Sequence, residues 1–133
     1  MIIRKGKLSD IKILVKLDKE ASKEIKWWRP MNQNEFAELA KTKNHLYVAK
    51  QDNQIVGYLS AAIKYERLFL DNVYVKKNFR KNKVADRLIK RFIADWKNSK
   101  FKEIRIHSPE KLRKFYKKLG FFLSALIMKK KFK

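Results

Sequence analysis

The most regular hydrophobic pattern in the chain lies between residues 85 and 96. Apolar side chains recur there at steps of three and four residues, which is the spacing of one face of an α-helix. The apolar positions are Ala85, Leu88, Ile89, Phe92, Ile93 and Trp96. We therefore predict an amphipathic helix over 85–96 whose apolar side is buried.

Three shorter segments also have helical spacing, and residues typical of helix ends bound them. Ser9 is a typical N-cap for a helix that continues to about residue 20. Asn32 and Glu35 have the spacing of a capping box, which predicts a helix through residue 40. Pro109 suits the first turn of a further helix, and Gly120 is typical of the left-handed residue that ends one.

Strand-like segments rich in β-branched and aromatic residues fill the intervals between these helices. Gln51, Asp52 and Asn53 are turn-forming residues between two of the strands, which predicts a β-hairpin. The segments are 2–4, 45–50, 54–63, 67–75 and 103–107, with the last β material at Phe121-Phe122 and from Ala125 to Met128.

The resulting order of elements, β-α-α-β-β-β-α-β-α-β, predicts an α/β fold of the α+β type with one mixed sheet. The early run of strands favours antiparallel pairing, and the later alternation of strand and helix favours parallel pairing. We expect a central mixed β-sheet of about six to seven strands with helices on both faces. The 133 residues suit a single domain over 1–133.

Cysteine is absent, which excludes disulfides, cysteine zinc sites, iron–sulfur clusters and a thiol nucleophile. The two histidines, His45 and His107, lie far apart in the sequence, so no metal site is expected. No apolar run has the length of a membrane span, and the first residues lack the apolar core of a signal peptide. We expect a cytoplasmic protein.

The net charge is strongly positive. Lysine and arginine number 35 against 13 aspartates and glutamates, which gives +22 at pH 7. Such a basic protein attracts polyanions: nucleic acid, an anionic membrane or a phosphate-rich cofactor. The abundance of Lys, Ile and Asn is equally consistent with drift from AT-rich coding, so both interpretations stay open.

A basic loop joins the predicted strand 67–75 to the predicted helix 85–96. The first turn of a helix presents free backbone N–H groups and the positive end of the helix dipole, which together suit a phosphate group. A solvated basic loop is the simpler interpretation, because basic runs are common in this chain. The cations of the loop are Lys76, Lys77, Arg80, Lys81 and Lys83.

Three motifs at this junction and beyond it are similar to those of a known family. They are Val73-Tyr74-Val75 at the strand end, Arg80-Lys81-Asn82-Lys83-Val84-Ala85 in the loop, and Phe115-Tyr116-Lys117-Lys118-Leu119-Gly120-Phe121 at a later helix end. In this order and separation they resemble the GNAT superfamily of acetyl-CoA-dependent N-acetyltransferases, over essentially the whole chain. The resemblance implies a GNAT-like fold with acetyl-CoA as cosubstrate and no metal.

In this family, backbone amides of the loop hold the coenzyme A pyrophosphate. The chain departs from the family at Lys83, where the family has glycine, at Asp86, where a small neutral residue is usual, and at Pro109, where asparagine is frequent. The alternative is therefore a basic nucleic-acid-binding or regulatory protein on a GNAT scaffold with a weakened or lost acetyl-CoA site. The implied cofactor-binding residues are Val73, Tyr74, Val75, Arg80, Lys81, Asn82, Lys83, Val84 and Ala85.

The resemblance also implies catalytic roles. A tyrosine at the place of Tyr116 often protonates the coenzyme A sulfur in the family, whereas helical spacing alone would make it a core residue. A backbone N–H within 73–75, where the family's central strand bulges, would stabilise the oxyanion. Asp71 is the preferred general base, although any such carboxylate could equally pair with a surface lysine. The alternatives are Glu66, Glu103 and His107.

The expected acceptor is a primary amine that attacks acetyl-CoA directly in a ternary complex. A cationic surface repels polyamines and aminoglycosides, which favours a protein or peptide amine, including one presented near nucleic acid or the ribosome. The resemblance places the acceptor near the first two helices, where Trp27 and Trp28 lie in the connector. Two interpretations stay open: one of the two indole rings lines a substrate surface, or both rings are buried as a hydrophobic plug. A monomer or a homodimer is expected.

Overall fold

The computed structural model describes residues 1–124 and 128–132, and that part of the chain forms a five-stranded sheet with four α-helices. The strands are β1 (Ile2–Lys5), β2 (Leu46–Gln51), β3 (Gln54–Lys64), β4 (Arg67–Val75) and β5 (Ile104–Arg105). The helices are α1 (Ile11–Glu24), α2 (Gln33–Lys41), α3 (Val84–Trp96) and α4 (Arg113–Lys118). No helix among these residues is long and apolar enough to cross a membrane.

The strands lie side by side in chain order, from β1 to β5. The first four pair antiparallel, and β2 and β3 form the predicted hairpin. β5 pairs parallel to β4, because the chain returns through α3 to the same end of the sheet. The mixed sheet predicted from the sequence is confirmed.

The helices cover both faces of the sheet, as predicted. Leu46 and Val48 in β2 point into a core that α1 and α2 close, whereas Tyr47 and Ala49 point into a core that α3 and α4 close. This division follows from the alternation of side chains along a strand. The predicted apolar stripe of α3 supplies the second core, with Phe92 fully buried.

The predicted strand count was wrong, because the described residues form five strands rather than six or seven. Phe121 and Phe122 make no strand pairing. The Phe121 N–H instead donates to the Tyr116 carbonyl at 3.1 Å and caps α4. This N–H is therefore not available for pairing with another strand. Of the last predicted β segment, residues 125–127 lie outside the described residues and Met128 is not in a strand.

The end of α4 explains why the chain turns away at this point. Gly120 has φ +96°, the positive dihedral predicted for a helix-ending glycine, and its N–H donates to the Lys117 carbonyl at 3.0 Å. The strand predicted over 103–107 shortens to two residues in β5. Its alternating pattern is present in the sequence, but only two residues find a partner in β4.

A β-bulge lies in the middle of β4. Ser60 faces Asn72 and Ala61 faces Leu70, so Asp71 is an extra residue without a partner in β3. The bulge reverses the side-chain alternation. As a result Leu70 and Val73 point into the same core, although they are three positions apart and regular alternation would place them on opposite faces. The predicted bulge near residues 73–75 therefore lies two residues upstream, at Asp71.

A fully buried carboxylate connects α1 to the segment between α1 and α2. Asp18 accepts hydrogen bonds from Trp28 Nε1 at 2.8 Å, from the Met31 N–H at 2.5 Å, and from the Tyr58 hydroxyl. Three donors satisfy a charge that would otherwise be costly to bury. The connector is therefore attached to the sheet through Tyr58 and to the helix through Asp18.

Gly57 allows α3 to begin close against the sheet. A Cβ at this position would lie 2.9 Å from the Tyr74 carbonyl oxygen and 3.4 Å from Val84 Cγ1. The first of these contacts is with backbone, which has little room to move. Glycine in a strand interior commonly marks such a close approach.

We predict that Gly57→Ala lowers the free energy of unfolding by about 1–3 kcal/mol, because the added methyl group overpacks the space between β3, β4 and α3. Urea denaturation of both proteins measures the difference. Ser60→Ala is the matched control, since its buried hydroxyl has no hydrogen-bond partner in the described structure and its loss should be nearly neutral. Equal stability of Gly57→Ala and the original protein would show that this approach is not tight.

Candidate functional site

β4 and β5 separate after two residue pairs, which leaves part of the edge of β4 open among the described residues. The two strands pair only through Leu68 with Ile104 and Phe69 with Arg105. β4 then continues through residues 70–75 with no strand on that side among the described residues, while the chain after β5 leaves toward α4. We call this wedge-shaped opening the fork.

Two backbone amides of β4 point into the fork. The Lys76 N–H donates to the Val56 carbonyl at 2.8 Å, so these two residues face each other as a hydrogen-bonded pair. Hydrogen bonding alternates along antiparallel strands, and Tyr74 therefore also bonds to β3. The amides of Val73 and Val75 consequently face the opposite edge, which is the fork.

The basic loop leads from the fork to the start of α3. Residues Lys77–Asn82 form a short 3-10 helix, and Lys83 follows with φ 57° and ψ 32°. α3 begins at Val84, and no side chain caps its first turn. The N–H groups of that turn remain available to an anion, since the first amides of a helix have no partner within the helix.

Lys83 has the left-handed backbone conformation that glycine adopts most readily. The loop therefore has the glycine-type geometry at the position where the family has glycine and this chain does not. Its side chain is exposed. The carboxylate of Asp86, also a departure from the family, pairs with Lys90 one turn further along at 3.1 Å.

Arg80 does not extend freely into solvent. Its guanidinium forms a two-pronged ion pair with Glu24, with N–O distances of 2.6 and 2.7 Å, and its Nε donates to the Val75 carbonyl at 3.0 Å. The Tyr74 hydroxyl donates to the same Glu24 carboxylate at 3.0 Å. Arg80 thereby connects the end of α1 to the end of β4, and its side chain is committed within the protein.

These contacts shift the ionisation of all three groups. The hydrogen bonds from Arg80 lower the pKa of Glu24, and the same contact raises the pKa of Arg80. Burial, followed by the hydrogen bond to Glu24, raises the pKa of Tyr74 to about 12. Glu24 is thus a carboxylate and Tyr74 a neutral phenol at neutral pH. Because the ion pair is partly exposed, its effect on stability is small and its main consequence is positional.

Tyr116 lies in the α3–α4 core at 7% exposure, packed against Phe115 and Phe121 with ring centres 5.1 and 5.7 Å away. Its hydroxyl makes no hydrogen bond to any residue in the described ranges. Burial raises the pKa of the Tyr116 phenol. Tyr116 is therefore part of the core, as its spacing predicted, and its phenol is protonated at neutral pH with no hydrogen-bond partner in the described part of the chain.

Two of the four candidate bases lie near the middle of β4 and two near its start. Asp71 lies at the bulge, just past the last β4–β5 pair, and its carboxylate pairs with Lys64 at 3.0 Å. His107 lies across the fork, with its ring centre 5.5 Å from that of Phe69. Glu66 and Glu103 lie at the closed end, where they line a depression of about 240 Å³. Only Asp71 and His107 are beside the fork.

The two adjacent tryptophans have opposite environments. Trp28 is buried, bonded to Asp18 and packed edge-on against Tyr74 at 5.9 Å. Trp27 is 64% exposed. Trp28 therefore belongs to the core, and Trp27 has the exposed ring that the predicted acceptor surface would require.

Sequence reasoning did not single out Asp18, Glu24 or Gly57. A lone glycine within a strand pattern was the available signal for Gly57. Asp18 lies among the apolar positions of α1, which was a signal of burial. Nothing in the sequence pairs Glu24 with Arg80. Among the described residues, no group of three or more histidine and carboxylate side chains is placed to hold a metal.

We predict that Lys83→Gly is more stable than Lys83→Ala by about 1 kcal/mol, because glycine adopts a positive φ without the strain that a Cβ introduces. Both variants remove the same charge, so thermal or urea unfolding isolates the backbone effect. Ala94→Gly on the exposed side of α3 is the control, and glycine should there destabilise by about 1 kcal/mol. A more stable alanine at both positions would contradict the left-handed conformation of residue 83.

Comparisons with known proteins agree with this arrangement. The closely similar solved structures include an aminoglycoside N-acetyltransferase in complex with coenzyme A, at 19% identity and a TM-score of 0.75, covering 99% of each chain. They include a predicted acetyltransferase with acetyl-CoA from Clostridium acetobutylicum, at 20% identity and 0.73, covering 98% of this chain and 95% of that one. Glucosamine-6-phosphate N-acetyltransferase from Arabidopsis thaliana matches at 16% identity and 0.71, covering 99% and 98%.

At these identities, the structural matches establish the fold. A search by sequence among curated proteins finds no match. The family model described as an acetyltransferase (GNAT) domain matches residues 16–130, which is most of the chain and includes the fork, the basic loop and α4. The resemblance seen in the sequence is thereby confirmed, and this chain belongs to the GNAT family of acetyltransferases.

Proposed function

We propose that this protein transfers an acetyl group from acetyl-CoA to a primary amine in a direct ternary complex. One observation carries the proposal: the open edge of β4 continues into a glycine-like loop and an uncapped helix start. This gives two groups of backbone donors, the amides of Val73 and Val75 at the fork and those of the first turn of α3, with the loop between them. Family membership supplies the cosubstrate.

The loop suits the diphosphate of acetyl-CoA. The binding residues are proposed at the end of β4 and across the loop into α3. Within this set Lys81 and Lys83 offer exposed ammonium groups, and Val84 and Ala85 offer amides. Arg80 contributes differently. Its guanidinium is bonded to Glu24 and to the Val75 carbonyl, and these contacts stabilise the conformation of the loop. The remaining members of the set are Val73, Tyr74, Val75 and Asn82.

The amides of Val73 and Val75 are suited to the acetyl end. A backbone N–H that faces the fork can donate to the thioester carbonyl oxygen and more strongly to the oxyanion that forms when the amine attacks. The C–N bond then forms and the C–S bond breaks. Because the donors belong to a sheet strand, they need no rearrangement during the reaction.

Tyr116 donates its hydroxyl proton to the departing sulfur and then regains a proton from solvent. Its raised pKa keeps the phenol protonated across the neutral range, as a general acid requires. Asp71 accepts the proton that the amine loses, directly or through water. The residue lies at the bulge, just past the last β4–β5 pair, and its carboxylate is bonded to Lys64 in this structure.

The acceptor is proposed to be an amine on a molecule that carries little further positive charge. The net charge of +22 opposes the approach of a polycation such as an aminoglycoside, the substrate class named for one structural relative. Neutral or anionic amines meet no such repulsion. Two of the relatives named above are an aminoglycoside and a glucosamine-6-phosphate acetyltransferase, which favours a small amine over the protein or peptide amine expected from the sequence.

Isothermal titration with acetyl-CoA tests the cosubstrate site. We expect a dissociation constant of roughly 1 μM, about −8 kcal/mol. Ala85→Glu places a carboxylate in the first turn of α3 and should weaken binding by at least about tenfold. Ala94→Glu makes the same change on the exposed far end of the helix and should leave binding unchanged. Absence of heat with the original protein would overturn the proposal.

A second test addresses Tyr116. Tyr116→Phe keeps the packed ring and should lower kcat about 100-fold or more, with little change in the KM for acetyl-CoA. Steady-state assays with neutral and anionic primary amines measure both constants. Tyr65→Phe, on a side chain that is 91% exposed in the β3–β4 turn, is the matched control and should retain full activity. An unchanged kcat in Tyr116→Phe would restrict this residue to the core.

A further inference from the structure

We propose that the exposed side of α1, together with Trp27, is a docking surface for single-stranded nucleic acid, for which RNA is the probe used below. This inference goes beyond acetyl transfer and does not depend on the acetyl-CoA site. From the sequence alone, a nucleic-acid footprint would fall on the basic loop, on the basic residues of 111–118 and on the lysines of the tail. The structure favours a different location, because a regular row of exposed lysines and an exposed aromatic ring lie at one helix, α1.

Four lysines form one line along α1, and we call them the lysine stripe. At 100° per residue their side chains fall within an arc of about 60°, and they extend about 16 Å along the helix. All four are exposed, whereas Leu14, Leu17 and Ala21 on the opposite side are buried. The stripe consists of Lys12, Lys16, Lys19 and Lys23.

One exposed carboxylate, Glu20, flanks the stripe, but it makes no ion pair with it among the described residues. None of its lysines takes part in an ion pair among the described residues, and Glu24 on the adjacent arc is bonded to Arg80. On α3, by contrast, Lys90 and Arg91 each pair with an aspartate on the same helix at 3.1 Å. Like charges at steps of three and four destabilise a helix, so the stripe has a cost that a polyanion would remove.

An aromatic ring follows the stripe directly. Trp27 lies just beyond the end of α1 and is 64% exposed. Its ring rests against Trp28 at 6.0 Å, and Trp28 is held by its hydrogen bond to Asp18 at 2.8 Å. A fixed, exposed ring next to a row of cations is the combination that single-strand-binding proteins use for bases and phosphates.

The same features favour single strands of nucleic acid over duplexes and over other polyanions. A duplex hides the base faces that an aromatic ring would stack on, whereas single strands expose them. An anionic membrane would meet no insertion face, because the apolar side of α1 is packed in the core. An acidic peptide offers charge but no bases to stack on Trp27.

The test measures the fluorescence anisotropy of a labelled oligouridylate of about 16 nucleotides, without acetyl-CoA, over a range of salt concentrations. Four phosphate contacts to a single strand predict a slope of log K against log salt of about −3. Replacing the stripe by glutamines should remove most of that slope. The stripe variant combines Lys12→Gln, Lys16→Gln, Lys19→Gln and Lys23→Gln.

The control removes the same charge from the opposite face of the sheet. It neutralises four exposed lysines on and beside α4, which packs on the other core. Binding by this variant should stay within about twofold of the original protein. An equal loss in both quadruple variants would overturn the proposal in favour of a diffuse field. The control variant combines Lys111→Gln, Lys114→Gln, Lys117→Gln and Lys118→Gln.

Substitution of Trp27 tests the stacking contact. Trp27→Ala should weaken RNA binding about tenfold with the salt slope unchanged, and Trp27→Phe should recover most of the loss. Binding unaffected by Trp27→Ala, or stripe-dependent binding to phosphatidylserine vesicles but not to RNA, would overturn the assignment. Titration with acetyl-CoA of the same stripe variant should be normal, so failure of this inference is distinguishable from failure of the transferase proposal.

Discussion

The hydrogen bonding of β4 is the constraint on which the site depends. This strand is paired along its whole length with β3, but with β5 through only two residues. Every residue of β4 must place its N–H and C=O on one edge or the other, so a strand with one partner necessarily leaves alternate amides open. The bulge at Asp71 determines which residues these are and which core their side chains enter. The same strand therefore supplies the sheet, both cores and the open donors.

The loop after β4 has a glycine-type backbone conformation at a position where the residue is lysine. Lys83 adopts the backbone conformation that glycine would adopt, and Gly57 in the neighbouring strand provides the space that α3 needs to start close to the sheet. The Arg80 guanidinium is bonded to Glu24 and to the Val75 carbonyl, so it stabilises the conformation of the loop. Backbone amides, more than side chains, define this site, which is why a departure from the family at one residue leaves the arrangement intact.

Local patterns in the sequence were sufficient for most elements. The amphipathic helix predicted over 85–96 is α3, and β4 has the predicted bounds. The Asn32–Glu35 capping box is formed, with the Glu35 N–H donating to the Asn32 side chain at 2.9 Å. The fork could not be predicted in this way, because it depends on where two strands stop pairing. Contacts such as Glu24 with Arg80 join distant residues and leave no periodic signal.

The short β4–β5 ladder has a mechanical consequence. Two residue pairs and a group of aromatic side chains, among them Tyr116 and Phe121, attach the part of the chain after α3 to the rest. Packed rings can slide by small distances at little cost, whereas a backbone ladder must break in order to move. One side of the fork is therefore rigid, because β4 is paired with β3. The other side, formed by the chain after β5, is more compliant and can adjust to the thickness of a bound molecule.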